Sequence, residues 1–316
     1  MSFCVKARFL VLGEKMKPKV TIGVCVRNNA STIREAIESI IGQDFPHELV
    51  ELIVVDGHSE DKTLSVIKES LENSSIKSKV FNENKGLGYA RQIVVDNAEG
   101  RYIVWVDGDM IISRSYLREL LEFMEKHPEV GIAKGKMALE SGGNLLSTLE
   151  AFSRAAGKMV DYRSRRAYSK VLGTSGSIYR TQAIAQVGGF DKDLKGYGED
   201  WDVEIRVRAA GWSLLTTYAK YLDYERCGLT WKTLWSRYWR RGYDTHHFLH
   251  KNKGLIKHYR MFPPAAFLSG LLHAYKLFKL TRKKVVYLLP FQYVFKMTAW
   301  YIGFINSHMD SYGPES

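Results

Sequence analysis

The first half of the chain alternates strand-forming runs with segments of helical periodicity. The runs, rich in β-branched and aromatic residues, cover residues 20–26, 50–55, 79–81 and 102–106, and one helical segment follows each of the first three. Crossover helices of this kind join parallel strands, so the rhythm predicts a parallel, doubly wound sheet with short loops. Ligands bind such sheets at the carboxyl ends of the strands.

The run Tyr102–Val106 ends in Asp107-Gly108-Asp109, two carboxylates separated by one glycine. Carboxylates this close repel each other unless a positive charge lies between them, and Mg²⁺ or Mn²⁺ bound to oxygen ligands and to the phosphates of a substrate is the usual solution. Gly108 leaves room for a substrate and allows a tight turn. The spacing alone also occurs in solvated turns, so both interpretations stay open at this point.

Two other predicted strands end in polar residues: Val26 is followed by Arg27-Asn28, and Asp56 follows the run 50–55. We expect these residues and the two aspartates to converge on one crevice, with a nucleotide as its occupant. The glycine loop Asn84–Gly88 is not a Walker P-loop and lacks the three-glycine dinucleotide fingerprint. The sequence therefore argues against P-loop kinases, ATPases and dehydrogenases.

The second half of the body has weaker patterns. We predict helices over 116–126, 149–168 and 200–210 and strands over 130–137 and 214–218. The small residues of 173–176 permit a close backbone approach. Glu199-Asp200 opens the last of these helices, where negative charge suits the positive end of the helix dipole.

The order of these motifs resembles family 2 glycosyltransferases with the GT-A fold, a Rossmann-like mixed and mostly parallel sheet flanked by helices. The resemblance covers roughly residues 18–245 and rests on six motifs in order. They are Arg27-Asn28, Val54-Val-Asp56-Gly, Asn84-Lys-Gly-Leu-Gly88 with Ala90-Arg91, Asp107-Gly-Asp109, Val187-Gly-Gly-Phe190 and Gly198-Glu-Asp200.

The resemblance implies an inverting transfer from a nucleotide-activated sugar, dependent on Mg²⁺ or Mn²⁺. Asp56 would hold the nucleobase, and Asp109 would bind the metal and the diphosphate. Asp107 would lie next to the ribose or next to the metal. The remaining positions implied to bind the nucleotide sugar are Val26, Arg27, Asn28, Lys85, Gly86, Arg91 and Gly108.

Inversion requires an acceptor hydroxyl and a general base that takes its proton. The resemblance makes Asp200 the candidate base, with Glu199 beside it. A helix-capping role for Asp200 is the alternative, and the two roles are compatible.

The processive members of the family carry Gln-x-x-Arg-Trp, whereas this chain has Ser236–Gly242, with the sequence Ser-Arg-Tyr-Trp-Arg-Arg-Gly. The difference favours addition of one sugar over polymer synthesis. Arg237, Arg240 and Arg241 are candidates for neutralising the diphosphate or the acceptor, because guanidinium groups suit phosphate oxygens. A basic surface helix is the alternative.

The net charge of +12 is concentrated in residues 231–316, where 14 Lys and Arg face 3 acids. Such a segment suggests an anionic partner, either a membrane or a nucleic acid. Residues 265–280 form an apolar segment too short to span a bilayer, and residues 285–304 form a borderline one with Pro290 inside it. We predict two interfacial helices, with Arg282-Lys-Lys284 on anionic lipid. Whether 285–304 span or lie on the membrane stays open, and packing on the body or a second subunit is the alternative.

These observations give a predicted organisation of three parts: an N-terminal extension (1–17), a GT-A catalytic domain (18–245), and a basic, aromatic, membrane-associating tail (246–316). Phe9–Leu12 is too short for a signal sequence, and the three scattered cysteines fit a reducing compartment.

The predicted function is transfer of a sugar from a UDP, GDP or dTDP donor to a lipid-linked saccharide or a polyprenyl phosphate. We expect the reaction at the cytoplasmic face of the cell membrane, with the protein peripheral or monotopic. The alternative is a non-catalytic nucleic-acid-binding module that uses the basic tail. Clustered carboxylates disfavour a nucleic-acid partner, and homo-oligomerisation is possible.

Overall fold

A computed structural model of the chain describes residues 17–138, 143–158, 172–194, 196–223, 229–251 and 262–310. The predicted N-terminal extension, apart from its last residue, lies outside these ranges, as does 159–168 of the helix predicted over 149–168. The strands are β1 (Val20–Val26), β2 (Val50–Asp56), β3 (Lys77–Asn82), β4 (Tyr102–Trp105), β5 (Met110–Ile112), β6 (Val130–Met137), β7 (Ser177–Arg180) and β8 (Ser213–Asp223).

The helices of the body flank these strands, and three longer helices follow them. The helices are α1 (Ile33–Ile41), α2 (Thr63–Leu71), α3 (Leu87–Asn97), α4 (Tyr116–Lys126), α5 (Leu145–Lys158), α6 (Thr181–Gln186), α7 (Glu199–Ala209), α8 (Trp231–Lys251), α9 (Pro263–Thr281) and α10 (Leu289–Met309). Short 3-10 helices cover His47–Leu49 and Lys284–Leu288.

The strands form one eight-stranded sheet in the order β3-β2-β1-β4-β7-β6-β8-β5. The strands β3, β2, β1 and β4 run parallel, as predicted, and their nearly continuous apolar sequences suit strands covered on both faces. In the other half, β7 runs antiparallel to both β4 and β6, and β5 runs antiparallel to β8. The sheet is therefore mixed, in agreement with the GT-A fold, although the strand–helix rhythm alone predicted a purely parallel one.

Each face of the sheet has its own hydrophobic core. On one face, α1, α2 and α4 contribute buried residues such as Ile37, Ile67 and Leu120. On the other face, α3, α6 and α7 contribute residues such as Val94 and Val203. This arrangement is a three-layer α/β/α body, and burial on both sides fixes the register at which the strands end.

Most predicted elements lie within two residues of their observed bounds, but α5 begins four residues before the predicted 149, α10 covers Leu289–Met309 rather than 285–304, and α8 was not given bounds. Three short elements were missed. Strand β5 has three residues, β7 has four and α6 has six. Elements this short do not show a recognisable period, and β7 directly follows the small residues of 173–176. Strand β8 also extends to Asp223, well beyond the predicted end at 218.

The C-terminal helices pack on the body rather than lying apart from it. Helix α10 crosses α8 at two glycines, where a Cβ on Gly242 would lie 1.9 Å from the Trp300 carbonyl oxygen and one on Gly303 would lie 2.0 Å from that of Trp239. At the same time, Lys296 of α10 is buried and donates to Glu150 of α5 at 2.8 Å. The inner face of α10 therefore fits the alternative of packing on the body.

Helix α8 runs without a break through the predicted domain boundary at 245–246. Among the described residues, no helix combines the length and the apolar character that crossing a bilayer requires. The division into a catalytic domain and a tail stays a prediction.

Candidate active site

The carboxyl ends of β1, β2 and β4 form one edge of the sheet. Val26 is paired with Asp56 across β1 and β2, and Asp56 is paired with Asn82 across β2 and β3. Neighbouring strands lie about 4.8 Å apart, so two strand steps separate Asp56 from the end of β4 by about 10 Å. We call Val26, Asp56 and the turn Asp107–Asp109 the donor edge. Their spacing suits the two ends of an extended nucleotide.

The Asp56 carboxylate is buried and held by the loop that follows it. It accepts hydrogen bonds from the backbone N–H of Ser59, at 2.9 Å, and from the Ser59 hydroxyl. The same hydroxyl accepts from the Asn28 N–H at 2.9 Å, and the Glu60 N–H donates to the Asn28 side chain at 2.8 Å. The loops after β1 and β2 are therefore tied together, which places Asn28 beside Asp56.

Arg27 lies over the turn after β2. A Cβ on Gly57 would lie 3.3 Å from the Arg27 Cβ, and the Arg27 side chain is exposed. The structure thus brings Val26, Arg27, Asn28 and Asp56 together at the outer end of the donor edge, as the sequence predicted.

The turn Asp107-Gly108-Asp109 packs against the end of β1 and the start of α1. A Cβ on Gly108 would lie 2.6 Å from the Asn29 side-chain nitrogen and 2.9 Å from a Val26 methyl group, so only glycine fits there. The Gly108 carbonyl accepts from the Thr32 hydroxyl at 3.0 Å. The Asp107 carboxylate accepts a hydrogen bond from the Ser175 hydroxyl.

A cleft of about 1190 Å³ opens beside this turn. One wall comes from α3, the 174–175 segment and the start of α7, and the opposite wall comes from α8. The lining residues are Leu87, Arg91, Thr174, Ser175, Gly196, Tyr197, Glu199, Asp200, Lys232, Thr233, Trp235, Ser236, Arg237, Trp239, Arg240, Arg241 and Asp244. The cleft therefore contains the candidate base and all three candidate arginines, and Ser175 links its wall to Asp107.

Arg91 and Glu199 form a buried ion pair at the floor of the cleft. Burial raises the pKa of Glu199 most, Arg91 lowers it, and the neighbouring charges of Asp200 and Asp107 also raise it, to about 7 in all. Burial opposes the charge of Arg91, yet Glu199, Asp200 and Asp107 together raise the pKa of the guanidinium above its ordinary value. The Arg91 guanidinium therefore interacts with three carboxylates, and Glu199 is paired with Arg91 rather than free to act as a base.

Asp200 lies in the first turn of α7, and its side chain lines the cleft. One carboxylate oxygen accepts from the Trp201 N–H at 2.8 Å. The other would lie 3.2 Å from a Cβ on Gly173, whose φ of +75° is accessible mainly to glycine. Asp200 thus lines the cleft and also contacts the backbone at the helix N-terminus, and its role as a base stays a prediction.

A second buried carboxylate, that of Glu204, stabilises the backbone beside Asp200. Glu204 accepts hydrogen bonds from the N–H groups of Leu172 and Gly173, both at 2.6 Å. Burial, and next the charge of Asp200, raise the pKa of Glu204 to about 8. The Lys134 ammonium donates to the carbonyls of the same two residues, at 2.5 and 3.0 Å. This arrangement fixes the backbone against which Asp200 lies.

We call Arg237, Arg240 and Arg241 of α8 the helical wall. Arg237 and Arg241 are half-buried, whereas Arg240 is exposed. The Arg241 guanidinium lies 5.1 Å from the centre of the Tyr238 ring. The Tyr238 hydroxyl in turn donates to Glu150 at 3.2 Å, and Glu150 accepts from Lys296. Residues of α5 and α10 therefore support the inner end of the helical wall.

The residues of the donor edge lie beside the cleft and do not line it, and two other predicted residues, Lys85 and Gly86, belong to neither. Lys85 is exposed, with its ammonium 4.5 Å from the centre of the Tyr89 ring. With Asn84, Lys192 and Asp193, these two residues line a separate hollow of about 530 Å³. Gly86 precedes α3 with a φ of +114°, which only glycine readily adopts. Gly86 thus shapes the loop, and Lys85 does not line the cleft.

Sequence reasoning did not single out Ser175, Trp235, Trp239 or the Glu150–Lys296 pair. The two tryptophans are four residues apart on α8 and alternate with the arginines, a spacing that places all of them on neighbouring helix faces. Ser175 lies inside the small-residue stretch that the sequence marked for close approach. No local signal identifies Glu150 and Lys296 as partners, because 145 residues separate them.

The donor set at Asp107 and Asp109 fits a hard divalent cation. Among the described residues, no three His, Cys, Asp or Glu side chains come together as a metal site. Two carboxylates on one turn beside an open cleft fit Mg²⁺ or Mn²⁺, which usually keep water or substrate phosphate as their other ligands.

Residues 21–184, just over half of the chain, match the sequence model described as Glycosyl transferase family 2. Poly-beta-1,6-N-acetyl-D-glucosamine synthase of Staphylococcus epidermidis is 22% identical over 199 residues, 60% of this chain and 48% of that protein. The poly(ribitol-phosphate) beta-N-acetylglucosaminyltransferase TarS of Staphylococcus aureus is 30% identical over 110 residues, 34% of this chain and 19% of TarS. The first match thus spans about half of that relative.

Solved structures share the fold over nearly the whole chain. The mannosyltransferase PcManGT of Pyrobaculum calidifontis, in complex with GDP-Man and Mn²⁺, superposes with a TM-score of 0.63 at 17% identity, over 94% of this chain and 89% of that one. TarS 1–349 of Staphylococcus aureus gives 0.52 at 20% identity, over 93% and 92%. TarS 1–349 has also been solved with UDP-GlcNAc.

The fold of these proteins is GT-A, and GT-A glycosyltransferases typically use a divalent metal. The six motifs predicted this fold and this family, and both predictions are confirmed. An enzyme is accordingly favoured over a nucleic-acid-binding module. The chain belongs to glycosyl transferase family 2, whose members are glycosyltransferases.

Proposed function

We propose that the protein transfers a single sugar from a nucleoside-diphosphate sugar to a phosphate-bearing, lipid-linked acceptor, with inversion at the sugar carbon. The observation that carries this proposal is the cleft itself. Its lining includes Asp200 and three arginines, and through Ser175 it adjoins the turn that holds Asp107 and Asp109.

The donor edge would bind the nucleotide part of the donor. Asp56 would accept hydrogen bonds from the base, since its carboxylate is fixed by Ser59 at the outer end of the edge. Asp107 would lie at the ribose, and the diphosphate would reach Asp109. PcManGT with GDP-Man and TarS with UDP-GlcNAc support a nucleotide sugar as the donor class.

Asp109 and Asp107 would hold the divalent cation. When bound, it supplies positive charge that stabilises the departing diphosphate without proton transfer. Mn²⁺ accompanies GDP-Man in PcManGT, which supports a cation of this class. The positive charge of Arg91 interacts with Asp107, as well as with Glu199 and Asp200, and offsets part of the negative charge beside this cation site.

The acceptor would bind between the helical wall and the start of α7. Arg241 and Arg237 are placed to pair with phosphate oxygens, and Trp235 and Trp239 supply flat apolar surfaces for a sugar or a lipid chain. The name of TarS specifies poly(ribitol-phosphate), also a phosphate-bearing acceptor, which supports this acceptor class.

Asp200 would take the proton from an attacking hydroxyl as the new glycosidic bond forms. General-base catalysis contributes typically about 10²–10⁴-fold to a rate. An acceptor that attacks through an already ionised phosphate oxygen would not need this proton transfer. The role of Asp200 thus distinguishes lipid-linked saccharides from polyprenyl phosphates.

A donor panel tests the proposal. UDP-, GDP- and dTDP-sugars are added with Mn²⁺ or with EDTA, and the melting temperature and the release of nucleoside diphosphate are measured. We expect one nucleotide class to raise the melting temperature, and to be turned over, only with the metal. No shift and no turnover across the panel would contradict the donor assignment.

Asp200→Asn then separates the two acceptor classes. With a hydroxyl acceptor, we expect kcat to fall at least about 100-fold while donor binding is unchanged. With polyprenyl phosphate, activity should stay near normal. Near-normal transfer to a hydroxyl acceptor by this variant, while Asp109→Ala abolishes it, would remove Asp200 as the base.

A further inference from the structure

The outer surface of the C-terminal helices is apolar and exposed. On α9, Leu268 and Leu272 are 63% and 66% exposed, and Leu271 and Tyr275 are exposed as well. These positions are three or four residues apart, so they form one stripe along the helix. The opposite stripe, which includes Gly270 and Ala274, is buried against the rest of the chain. Helix α9 therefore presents apolar side chains on both sides.

Residues in the 3-10 helix Lys284–Leu288 and at the start of α10 extend this stripe. Phe291, which is 66% exposed, contacts Phe267 with ring centres 5.9 Å apart. Tyr287, also exposed, contacts Phe278 at 5.1 Å. The first contact joins α9 to α10 and the second joins α9 to the 3-10 helix before α10, so the exposed residues of these elements form one continuous surface. We call this surface the apolar face, and it consists of Leu268, Leu271, Leu272, Tyr275, Tyr287 and Phe291.

The charge around the apolar face has one sign. Residues 263–309 contain no Asp or Glu and six Lys or Arg. Lys296 is buried with Glu150, and the other five are exposed at the end of α9 and directly after it, at Lys276, Lys279 and Arg282–Lys284. A patch of apolar residues beside a purely cationic cluster is typical of a surface that enters the headgroup region of an anionic bilayer.

We propose that the apolar face and its five cations dock the protein on an anionic membrane surface, as a peripheral protein of the cytoplasmic leaflet. The occupant is a bilayer rather than a second copy, because pairing two such faces would bring ten cations together without a counter-charge. Docking would place α9 against the bilayer, with α5 and α10 behind it and α8 packed against α10. The cleft would then lie close to the membrane, where a lipid-linked acceptor resides.

Vesicle flotation with the full-length protein tests this proposal without any donor or acceptor, so its outcome is independent of the proposed reaction. The vesicles are phosphatidylcholine alone, or phosphatidylcholine mixed with phosphatidylglycerol. We expect binding to the mixed vesicles, much weaker binding to phosphatidylcholine, and loss of binding at high salt. Absence of binding to the mixed vesicles would overturn the proposal.

Two variants with matched controls identify the surface. The triple variant Arg282→Gln, Lys283→Gln, Lys284→Gln should weaken binding about 100-fold, since each cation near an anionic membrane contributes about fivefold. The control Lys62→Gln, Lys68→Gln, Lys126→Gln removes three exposed cations of the body and should bind normally. Equal losses for both triple variants would reduce the effect to net charge and overturn the assignment of this surface.

Leu272→Ser tests the apolar contribution, with Leu145→Ser as its control, because both leucines are more than half exposed. We expect Leu272→Ser to weaken binding about tenfold and Leu145→Ser to leave it unchanged. A concentration-dependent dimer that Leu272→Ser abolishes, with no vesicle binding by the wild type, would instead make this face an interface between copies and overturn the proposal.

Discussion

The donor edge and the helical wall are built by different means. The donor edge consists of strand ends whose positions follow from the register of a buried parallel sheet, with loops tied by local hydrogen bonds such as that of Asn28 to Ser59. The helical wall depends on α8 being held by α10 and by the distant pair of Glu150 and Lys296. The donor edge is thus fixed by the sheet, whereas the helical wall is fixed by helix packing.

The largest expected effect is at the donor edge. Asp109→Ala should lower transfer by at least about 10³-fold, because the cation and the departing diphosphate lose a carboxylate ligand. Steady-state kinetics with saturating acceptor measures this effect. Glu72→Ala, which removes an exposed acid at the end of α2, is the control and should be active. Substantial activity of Asp109→Ala would mean that the donor edge does not hold the cation through this residue.

Lys296→Met tests the helical wall through its support. Leaving Glu150 buried without its cation should lower the free energy of unfolding by about 3–4 kcal/mol. Denaturant unfolding measures this loss, and Lys276→Met, on the exposed side of α9, should be neutral. The double variant Glu150→Leu, Lys296→Met should recover much of the stability. For the folded fraction of Lys296→Met, the KM of the acceptor should rise while the affinity for the donor stays constant. A change in donor affinity alone would contradict the separation of the helical wall from the donor edge.

The pH dependence of stability tests the Arg91–Glu199 pair. Below pH 4.5, Glu199 is protonated in both the folded and the unfolded states. Between 4.5 and about 7 the folded state keeps a proton that the unfolded state has released, so this group lowers stability as the pH rises. The full shift corresponds to about 3 kcal/mol.

Glu199→Gln lacks this titration, so its stability relative to wild type should rise across that pH range and then level off. Thermal unfolding of both proteins from acid to neutral pH measures the difference. Parallel stability curves would show that the pKa of Glu199 is the same in the folded and unfolded states, so that Arg91 fully compensates for its burial.

The smallest effect distinguishes two arginines of the helical wall. Arg241 is half-buried beside Tyr238, whereas Arg240 is exposed. A charge-assisted hydrogen bond to phosphate contributes about 2 kcal/mol, so Arg241→Gln should raise the KM of a phosphate-bearing acceptor about 30-fold. Arg240→Gln should change it only a few-fold. Equal effects would indicate that the wall acts through net charge and not through a defined contact.

The sequence predicted the donor edge well because the required information is local. A buried run followed by Asp107-Gly-Asp109 defines both a strand and what lies at its end, and the same holds for Asp56. The helical wall was predicted only as a set of basic residues. Its support by Glu150 and Lys296 depends on a contact across 146 positions, and no local pattern identifies these two residues as partners.

Prediction of the C-terminal segment, residues 246–316, was limited for the same reason. Composition predicted apolar helices with basic flanks, and the structure shows that one side of them packs on the body. Hydropathy gives the amount of apolar surface but does not assign it to a face when both faces are apolar. Lys296 within the apolar segment is the residue that marks the buried side, because a lone cation there requires a buried partner.

Titration calorimetry with the nucleotide sugar selected by the donor panel measures whether carboxylates from separate strand ends bind one donor and one cation. With Mn²⁺ we predict a single site per chain. Binding should be strongly weakened by EDTA or Asp109→Ala, and also by Asp56→Asn at the other end of the donor edge. Binding that is indifferent to the metal and to both substitutions would contradict the account.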